Sequence, residues 1–498
     1  MRARLIKNAV SNLGRGGVGA MVALLLPPIL VRHMPTTSYA VWVLILQVSA
    51  YMGYLDFGLQ AAIGRYVAFA NEKKDWNFRD GIFSTAFAGL SIAATAGMLL
   101  VLIVALASHR IFPSVPPSLI VSMRLSMLIV GVSAALGLPA SAWNGVLVGL
   151  QRFDVPAVTT GATRVLSAVG LILAVLGGWP LIAMATIFAG ANLLSYGLQF
   201  AALRWLAPDI RFQKRLVTMP IIRELSGYSF SLTVWTLSML LINGLDLLLV
   251  GRLEFNAVTP YSVAATLIVF LGGIQSAIFG VIMPHAAQLH AHQDAAALGN
   301  LLLKATKLGV LLLLLTGLPL IVFSAPIIRT WIGSPFLPLG GRVLMVLVTA
   351  NMIRLTGIPF ASILIGTGQQ RLVVLTPFVE GVTNFFFSIA LGLKYGAIGV
   401  AWGTLIGAIA AALANIGYNL PRVRGSIQCS PLRYLFEAIV LPASCGIPVF
   451  LALPATILFK SVGSGITTPA CLVSFCACAF VICRNSFKDF RTLASPLR

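Results

Sequence analysis

Seven charged residues lie inside long apolar stretches of the sequence. They are four arginines and three acids: Arg15, Arg124, Arg164, Arg354, Asp56, Asp246 and Glu380. If these stretches cross a membrane, each charge costs at least about 2.5 to 3.5 kcal/mol on insertion scales and is usually functional. A guanidinium binds phosphate oxygens through two parallel hydrogen bonds. The arginines therefore predict contacts with an anionic ligand.

Arg354 lies near the midpoint of its apolar stretch, where a side chain reaches an interface least easily, and it is the first candidate for a ligand contact. Glu380 lies in the next stretch, beyond a short turn at residues 368–371, so the two side chains can face each other across a hairpin. Two interpretations stay open: a structural ion pair, or a charge pair that changes partner as the protein works.

Arg15 and Arg164 are expected one or two helical turns inside the cytoplasmic ends of their stretches. Long arginine stems can reach the interface from such a depth. The alternative is a cationic patch at the mouth of a cavity, where an anionic head group enters. Arg124 lies close to the opposite end of its stretch, and either a ligand contact or an interfacial position fits it.

The remaining polar candidates are Asp56, Asp246 and Asn243. Asn243 and Asp246 are three residues apart, a spacing that predicts a shared helix face. This pair can hold a cation or a proton, or bond to a neighbouring helix. Asp56 is close enough to the cytoplasmic side to pair with Arg15 or Arg164. Either acid is a candidate site for a coupling ion, H⁺ or Na⁺; no other cofactor is predicted.

The elements that carry these residues are predicted membrane helices. The 498 residues are 58% hydrophobic and 9% charged, whereas soluble domains are about 25% charged. A helix of about 20 apolar residues crosses the hydrocarbon core. Spans are expected near residues 9–31, 39–62, 81–107, 119–148, 156–177, 181–203, 226–251, 261–284, 305–328, 343–366, 372–393, 396–419, 435–459 and 466–483. The sequence predicts an all-α polytopic membrane protein of about 14 transmembrane helices.

The net charge is +21, and the lysines and arginines behind it are concentrated in alternate loops. On one side of the predicted spans lie 23 of the 34 lysines and arginines, and on the other side lie 7. This asymmetry is the positive-inside rule, so both termini are expected in the cytoplasm. Nucleic-acid binding, which such a charge would indicate in a soluble protein, is therefore not predicted.

The chain contains an internal repeat. The segment at residues 137–141 with the turn at 149–152 resembles the segment at 357–362 with the turn at 368–371. Two parallel six-helix repeats, spans 1–6 and 7–12, are predicted, followed by two extra C-terminal helices. Transporters built from parallel repeats bind substrate between the halves and alternate access by rocking them. The expected domains are an N-terminal lobe at 1–204, a cytoplasmic linker at 205–225, a C-terminal lobe at 226–420, and spans 13 and 14 with a cytoplasmic tail at 421–498.

The sequence contains no Walker loop, nucleophile elbow or zinc motif. We therefore predict that the chain is not an enzyme and carries neither a catalytic residue nor a metal site. The six cysteines form no disulfide framework and are interpreted as small apolar residues of membrane helices.

The start of the chain resembles a known family. The residues concerned are Pro28 to Arg32, Tyr39 to Trp42 and Leu55 to Arg65, and the likeness continues in Asp246 to Gly251, Tyr261 to Ala264, Trp331 to Gly333 and the two Gly-Gln-Arg turns. This pattern is similar to the polysaccharide-transport family of Wzx-type O-antigen and exopolysaccharide flippases, within the multidrug/oligosaccharidyl-lipid/polysaccharide (MOP) exporter superfamily. The family usually has glycine where Ala40 stands, a departure that concerns packing.

The resemblance implies a bacterial inner-membrane flippase. Its substrate would be an undecaprenyl-pyrophosphate-linked oligosaccharide repeat unit, moved from the cytoplasmic to the periplasmic leaflet by alternating access around a cationic central cavity. Membrane lipid, a polysaccharide polymerase and export machinery are the expected partners. Alternatives are a peptidoglycan-precursor flippase, a drug or cation exporter of the same superfamily, or a non-transporting scaffold of a polysaccharide-synthesis complex.

Overall fold

The chain is built almost entirely of helices. The computed structural model describes residues 19–449, 451, 469–478 and 480–481, and these contain no strand. Among the described residues, twelve helical segments are long and apolar enough to cross a membrane, and two shorter apolar helices accompany them. We number them spans 1 to 14 in chain order: Gly19–His33, Thr36–Lys73, Trp76–Ile111, Pro117–Gly149, Asp154–Leu176, Leu181–Leu206, Thr236–Leu253, Phe255–Ala291, Ala295–Val322, Ser334–Gly366, Leu375–Tyr395, Ala397–Arg422, Pro431–Val449 and Pro469–Cys478. The polytopic all-α class is confirmed.

Every predicted span overlaps one of these segments, and the differences lie at the helix ends. Span 3 begins at Trp76 because the Asp75 carboxylate accepts a hydrogen bond from the Phe78 amide at 3.0 Å. Span 9 begins at Ala295, well before residue 305, because the Asp294 carboxylate caps it in the same way. Such N-caps satisfy amides that have no partner inside the helix. The helices therefore extend past the apolar stretches that predicted them.

The outward faces of the helices are apolar. In span 3, Ile92, Leu99 and Ile103 are 72%, 56% and 63% exposed, whereas Ile82 and Leu90 of the same helix are fully buried in the core. A soluble helix would place charged or polar groups on its exposed face. The exposed apolar face is the surface expected to contact lipid.

Close helix packing depends on small residues in spans 11 and 12. Gly399, Gly403 and Gly407 recur at every fourth position and so lie on one face of span 12. A β-carbon at the first two would collide with the backbone of Leu391 and Ser388. At Gly407 it would come within 3.0 Å of the backbone carbonyl of Glu380 in span 11. This small-residue stripe lets the two helices approach closely.

The loop that follows span 6 is attached to span 3 by ion pairs. The buried guanidinium of Arg79 lies 3.0 Å from the Asp80 carboxylate and 2.5 Å from that of Asp209. Burial raises the pKa of Asp209, but the hydrogen bond and charge of Arg79 outweigh it, and the net pKa is lowered. The pair therefore holds the loop most strongly while Asp209 is ionised.

The contacts divide the chain into two compact units. The first unit comprises Met1–Thr259 and the second comprises Pro260–Arg498. Span 7 thus groups with spans 1 to 6, although the repeat assigns it to the C-terminal lobe. The lobe boundaries at 204 and 226 rest on the repeat and stay a prediction.

The two copies of the Gly-Gln-Arg turn share one backbone structure in a shifted register. In the first copy the amides of Gln151 and Arg152 bond to the carbonyls of Val148 and Leu147. In the second copy the backbone amides of Gly368 and Gln369 donate to the backbone carbonyls of Ile365 and Leu364. Gln151 and Gly368 are both left-handed, with φ of 58° and 74°. The structural equivalent of Gln151 is therefore Gly368, two residues earlier than the sequence motif suggests.

Candidate functional site

Span 2 is interrupted within the apolar stretch. The helix Thr36–Ala50 passes into a 3₁₀ segment at Tyr51–Asp56, Phe57 and Gly58 are left-handed with φ of 49° and 74°, and the helix resumes at Leu59. Glycine adopts positive φ without steric cost, which makes Gly58 suited to this bend. Irregular backbone at membrane depth is tolerated where protein or a polar cavity surrounds it.

Asp56 lies at this interruption. Its Oδ1 accepts hydrogen bonds from the Ser141 hydroxyl at 3.2 Å and from the backbone N–H of Gln60 at 3.3 Å. The expected ion pair with Arg164 is absent among the described residues, and these contacts of Oδ1 are with neutral donors beside the helix break. Asp56 also lines a 420 Å³ depression that contains Arg65. Arg15, the other expected partner, lies outside the described residues.

Span 7 is interrupted beside its acid as well. Residues Leu240–Gly244 form a π-helix, Leu245 is a bend, and a new α-helix starts at Asp246. The π-helix and the bend separate Asn243 from the regular helix of Asp246, and a shared face for the two side chains stays a prediction. The side chain of Asn243 lies outside the described part of the chain. Asp246 is buried in the first turn of its helix, where the helix dipole favours a negative charge.

The carbonyl that the span 7 break exposes is satisfied from span 2. The Gly244 oxygen accepts a hydrogen bond from the Gln47 amide at 2.9 Å and a second one from the Tyr51 hydroxyl. Tyr51 also lies within electrostatic range of Asp246. π-Helical turns recur at functional positions, and this one connects the two acid-bearing breaks of the first unit.

A third break follows Arg354 in span 10. The helix Leu337–Leu355 ends, Thr356 and Gly357 form a turn, and a second helix begins at Ile358. Arg354 Nη1 lies 3.8 Å from Glu380 Oε1, and its Nη2 donates a hydrogen bond to Asn351. The side chain of Glu380 is only 5% exposed, compared with 23% for Arg354. The pairing across the hairpin is present, as predicted, and its role stays a prediction.

Arg164 lies in the middle third of span 5. Span 5 begins at Asp154 and contains 23 residues, so at 1.5 Å per residue Arg164 is about 15 Å from one end of a helix about 34 Å long. Its guanidinium lies against Gly19, where an added β-carbon would come within 2.7 Å of Nη1. Among the described residues it has no hydrogen-bond or ion-pair partner.

Arg164 opens onto a cavity of about 550 Å³ inside the first unit, which we call the first-unit cavity. Small-molecule sites have volumes of about 300 to 1,000 Å³. Besides Arg164, its polar lining consists of four amides and several hydroxyls: Gln60, Asn144, Asn192, Gln199, Ser141, Thr160, Thr163, Ser167, Ser195 and Tyr196. Among the lining residues that the structure describes there is no carboxylate. Such a wall suits a hydroxyl-rich ligand with negative rather than positive charge.

The polar wall is built by two neighbouring helices with the same spacing. Span 5 contributes residues 160, 163, 164 and 167, and span 6 contributes residues 192, 195, 196 and 199. Steps of three, four and seven place each set on one helix face. Sequence reasoning missed this wall because it followed charges alone. The matching polar periodicity of two consecutive apolar stretches was the signal that could have found it.

Arg124 does not contribute to this cavity. Its Nε donates to the Ser108 hydroxyl and its Nη2 to the Leu106 carbonyl, both at 3.3 Å. Ser108 and Leu106 belong to the last two turns of span 3. The observed contacts are those of a residue that holds a helix end.

Comparison with solved structures defines the class. The fold matches "Lipid II flippase MurJ, inward closed conformation" with a TM-score of 0.71 and 15% identity, covering 97% of this chain and 100% of that one. It matches an inward-facing multidrug resistance MATE family transporter of the MOP superfamily with a TM-score of 0.64 and 16% identity, covering 84% and 98%. A MOP superfamily transporter from Pyrococcus furiosus matches with a TM-score of 0.55 and 13% identity, covering 85% and 95%. The chain has the fold of MOP superfamily transporters.

The family follows from the sequence. Residues 5–290 match the model of the polysaccharide biosynthesis protein family, and the chain belongs to that family. The resemblance noted in the sequence is thereby confirmed. No curated protein sequence matches the chain. The structures that it resembles are transporters and a flippase rather than enzymes.

Proposed function

We propose that the chain is a flippase for an undecaprenyl-pyrophosphate-linked oligosaccharide repeat unit, which it moves from the cytoplasmic to the periplasmic leaflet by alternating access. The observation that carries this proposal is the first-unit cavity, in which Arg164 lies among amides and hydroxyls and has no partner among the described residues. Bringing a pyrophosphate and many sugar hydroxyls into hydrocarbon without partners costs on the order of tens of kcal/mol. A polar cavity beside an arginine removes most of that cost, while the lipid tail stays in the bilayer.

The remaining charges have separate roles in this proposal. Arg354 exchanges its contact with Glu380 for the anionic substrate during the cycle, and Asp56 or Asp246 takes up the coupling ion, H⁺ or Na⁺. Their positions at three helix breaks support this assignment, because broken membrane helices commonly line substrate and ion sites. The protein lies in the bacterial inner membrane with both termini in the cytoplasm, and a polymerase and export machinery receive its product.

A drug or cation exporter of the same superfamily is disfavoured. A cationic substrate requires acidic groups in its site, and the described lining of the first-unit cavity carries an arginine and no carboxylate. Membership of the polysaccharide biosynthesis protein family favours a saccharide substrate over a drug.

Deletion of the gene tests the proposal in cells. We expect lipid-linked repeat units to accumulate on the cytoplasmic leaflet, detected by their resistance to a glycosidase added to the periplasmic side of spheroplasts. Reintroducing the wild-type gene should restore glycosidase sensitivity and surface polysaccharide. Repeat units that are already periplasmic in the deletion strain would assign the chain to a later step.

A further inference from the structure

Among the described residues, two side chains that line the first-unit cavity have a buried polar atom without a hydrogen-bond partner. The two atoms are Asn144 Oδ1, on span 4, and Ser167 Oγ, on span 5. Most buried polar atoms in proteins are satisfied, and each unmet one costs about 1 to 3 kcal/mol. Their neighbours are occupied, since Gln199 Nε2 donates to Ser195 at 3.3 Å and Asn192 Nδ2 donates to Ser133 at 3.3 Å. Both side chains line the cavity, so rotation of either side chain presents its unmet atom to a ligand.

The cavity also offers aromatic surface. Phe188 and Tyr196 of span 6 line it, and the ring of Phe188 is fixed by an edge-on contact with the buried Trp42 at 5.9 Å. A fixed aromatic ring presents an apolar face, and the amide and hydroxyl groups beside it can both donate and accept hydrogen bonds. A sugar ring requires this combination, because its C–H faces are apolar and its edge carries hydroxyls.

We propose that the first-unit cavity is a sugar subsite, in which Asn144 and Ser167 bond the hydroxyls of the first sugar while Arg164 holds the adjoining pyrophosphate. The inference rests on the proposed function, because it names the part of the substrate that each residue recognises. It also assigns recognition of the sugar to Asn144 and Ser167, two uncharged residues that lie within regular helices.

Binding to the purified full-length protein tests the subsite with two probes. One probe is undecaprenyl pyrophosphate, and the other is the same lipid bearing one neutral hexose. Wild-type protein should bind the sugar-bearing probe about tenfold more tightly, as one or two net hydrogen bonds provide. Ser167→Ala and Asn144→Leu should each reduce that preference several-fold and leave the affinity for the sugar-free lipid unchanged. Neither change removes a described protein hydrogen bond at the unmet atom.

Two further variants complete the design. Arg164→Gln should weaken the binding of both probes equally. Thr186→Val replaces a polar residue of span 6 that does not line the cavity, and it should leave both affinities unchanged. Equal loss of both probes in Ser167→Ala and Asn144→Leu, or no sugar preference in the wild type, would overturn the subsite while leaving lipid binding intact. Failure of wild-type protein to bind either probe would instead count against the proposed function.

Discussion

The two units present an intramembrane arginine in opposite ways. In the first unit, Arg164 opens into a cavity of about 550 Å³ and has no partner among the described residues. In the second unit, Arg354 lies beside the buried carboxylate of Glu380 and bonds to Asn351. A guanidinium without a protein counterion attracts an anion, whereas a paired one must first release its partner. Under the proposed function, Arg164 is therefore available to substrate at once and Arg354 only after a change in the second unit.

The repeated glycine-proline segment differs between the units in a related way. In the first copy Pro139 lies inside one continuous helix, Pro117–Gly149. In the second copy the helix ends at Leu355 and a new one starts at Ile358, directly before Pro359. Proline removes one backbone hydrogen bond in either case. In the second copy the regular α-helix gives way to a two-residue turn, Thr356 and Gly357, beside its charge.

The largest expected effect on transport is at Arg164. Arg164→Gln should reduce transport of the lipid-linked repeat unit by about tenfold to a hundredfold, since a charged hydrogen bond contributes about 1.5 to 3 kcal/mol. The matched control is Arg124→Gln, which removes an arginine that holds a helix end. Surface polysaccharide, measured at equal protein levels in the membrane, should fall in the first variant and remain in the second. Equal behaviour of the two would remove the distinction between cavity and helix-end arginines.

The second prediction concerns the buried pair. Arg354→Gln should destabilise the protein by about 3 to 5 kcal/mol, because it leaves the Glu380 carboxylate buried without a counterion. Adding Glu380→Gln should recover most of that loss, as measured by thermal unfolding in detergent. If the double variant is stable but does not transport, the pair changes partner during the cycle. If it is stable and transports normally, the pair is structural.

A smaller effect is expected from the glycine stripe that positions Glu380. Gly403→Ala places a methyl group against the backbone of Ser388 and should cost about 1 to 3 kcal/mol. Gly417 on the same span is a matched control, because an added β-carbon there meets no atom within 4 Å. The unfolding temperature should fall for Gly403→Ala and stay near wild type for Gly417→Ala. The opposite ranking would contradict the packing of spans 11 and 12.

The smallest effect concerns the loop after span 6 in the first unit. Because the pKa of Asp209 is lowered in the folded state, its contribution is present above the ordinary aspartate pKa and is lost as the pH falls through the folded value. Asp209 is largely exposed, so the contribution is at most about 1 kcal/mol. At pH 7 Asp209→Asn should unfold at a slightly lower temperature than wild type, and the gap should close below about pH 4. If the difference in unfolding temperature widened on acidification, the pKa of Asp209 would not be lowered by folding.

The sequence predicted the fold well because its main signal is the length of apolar stretches. The position of each span follows from that signal, and the pairing of Arg354 with Glu380 follows from the short turn between their helices. The helix breaks could not be predicted from that signal, although a glycine lies close to each charge: Gly58 after Asp56, Gly244 before Asp246 and Gly357 after Arg354. A glycine within an apolar stretch fits both packing and interruption, and only the tertiary contacts decide between them.

The amide and hydroxyl wall escaped prediction for another physical reason. Serine and threonine in membrane helices often bond to carbonyls of their own helix, as the hydroxyl of Thr163 does with Thr159 at 2.8 Å. Their presence alone therefore does not indicate a cavity. The cavity exists because spans 5 and 6 turn their polar faces to a common space, which depends on how the helices pack.

The central claim is that this chain moves a lipid-linked anionic saccharide across a bilayer. Its most direct test is transbilayer movement of a fluorescent undecaprenyl-pyrophosphate oligosaccharide in vesicles that contain only the purified protein. We expect wild-type protein to give an outer-leaflet population that equilibrates faster than in empty vesicles, and Arg164→Gln to remove most of that acceleration. Equal rates with and without the wild-type protein, under an imposed H⁺ or Na⁺ gradient, would contradict the account.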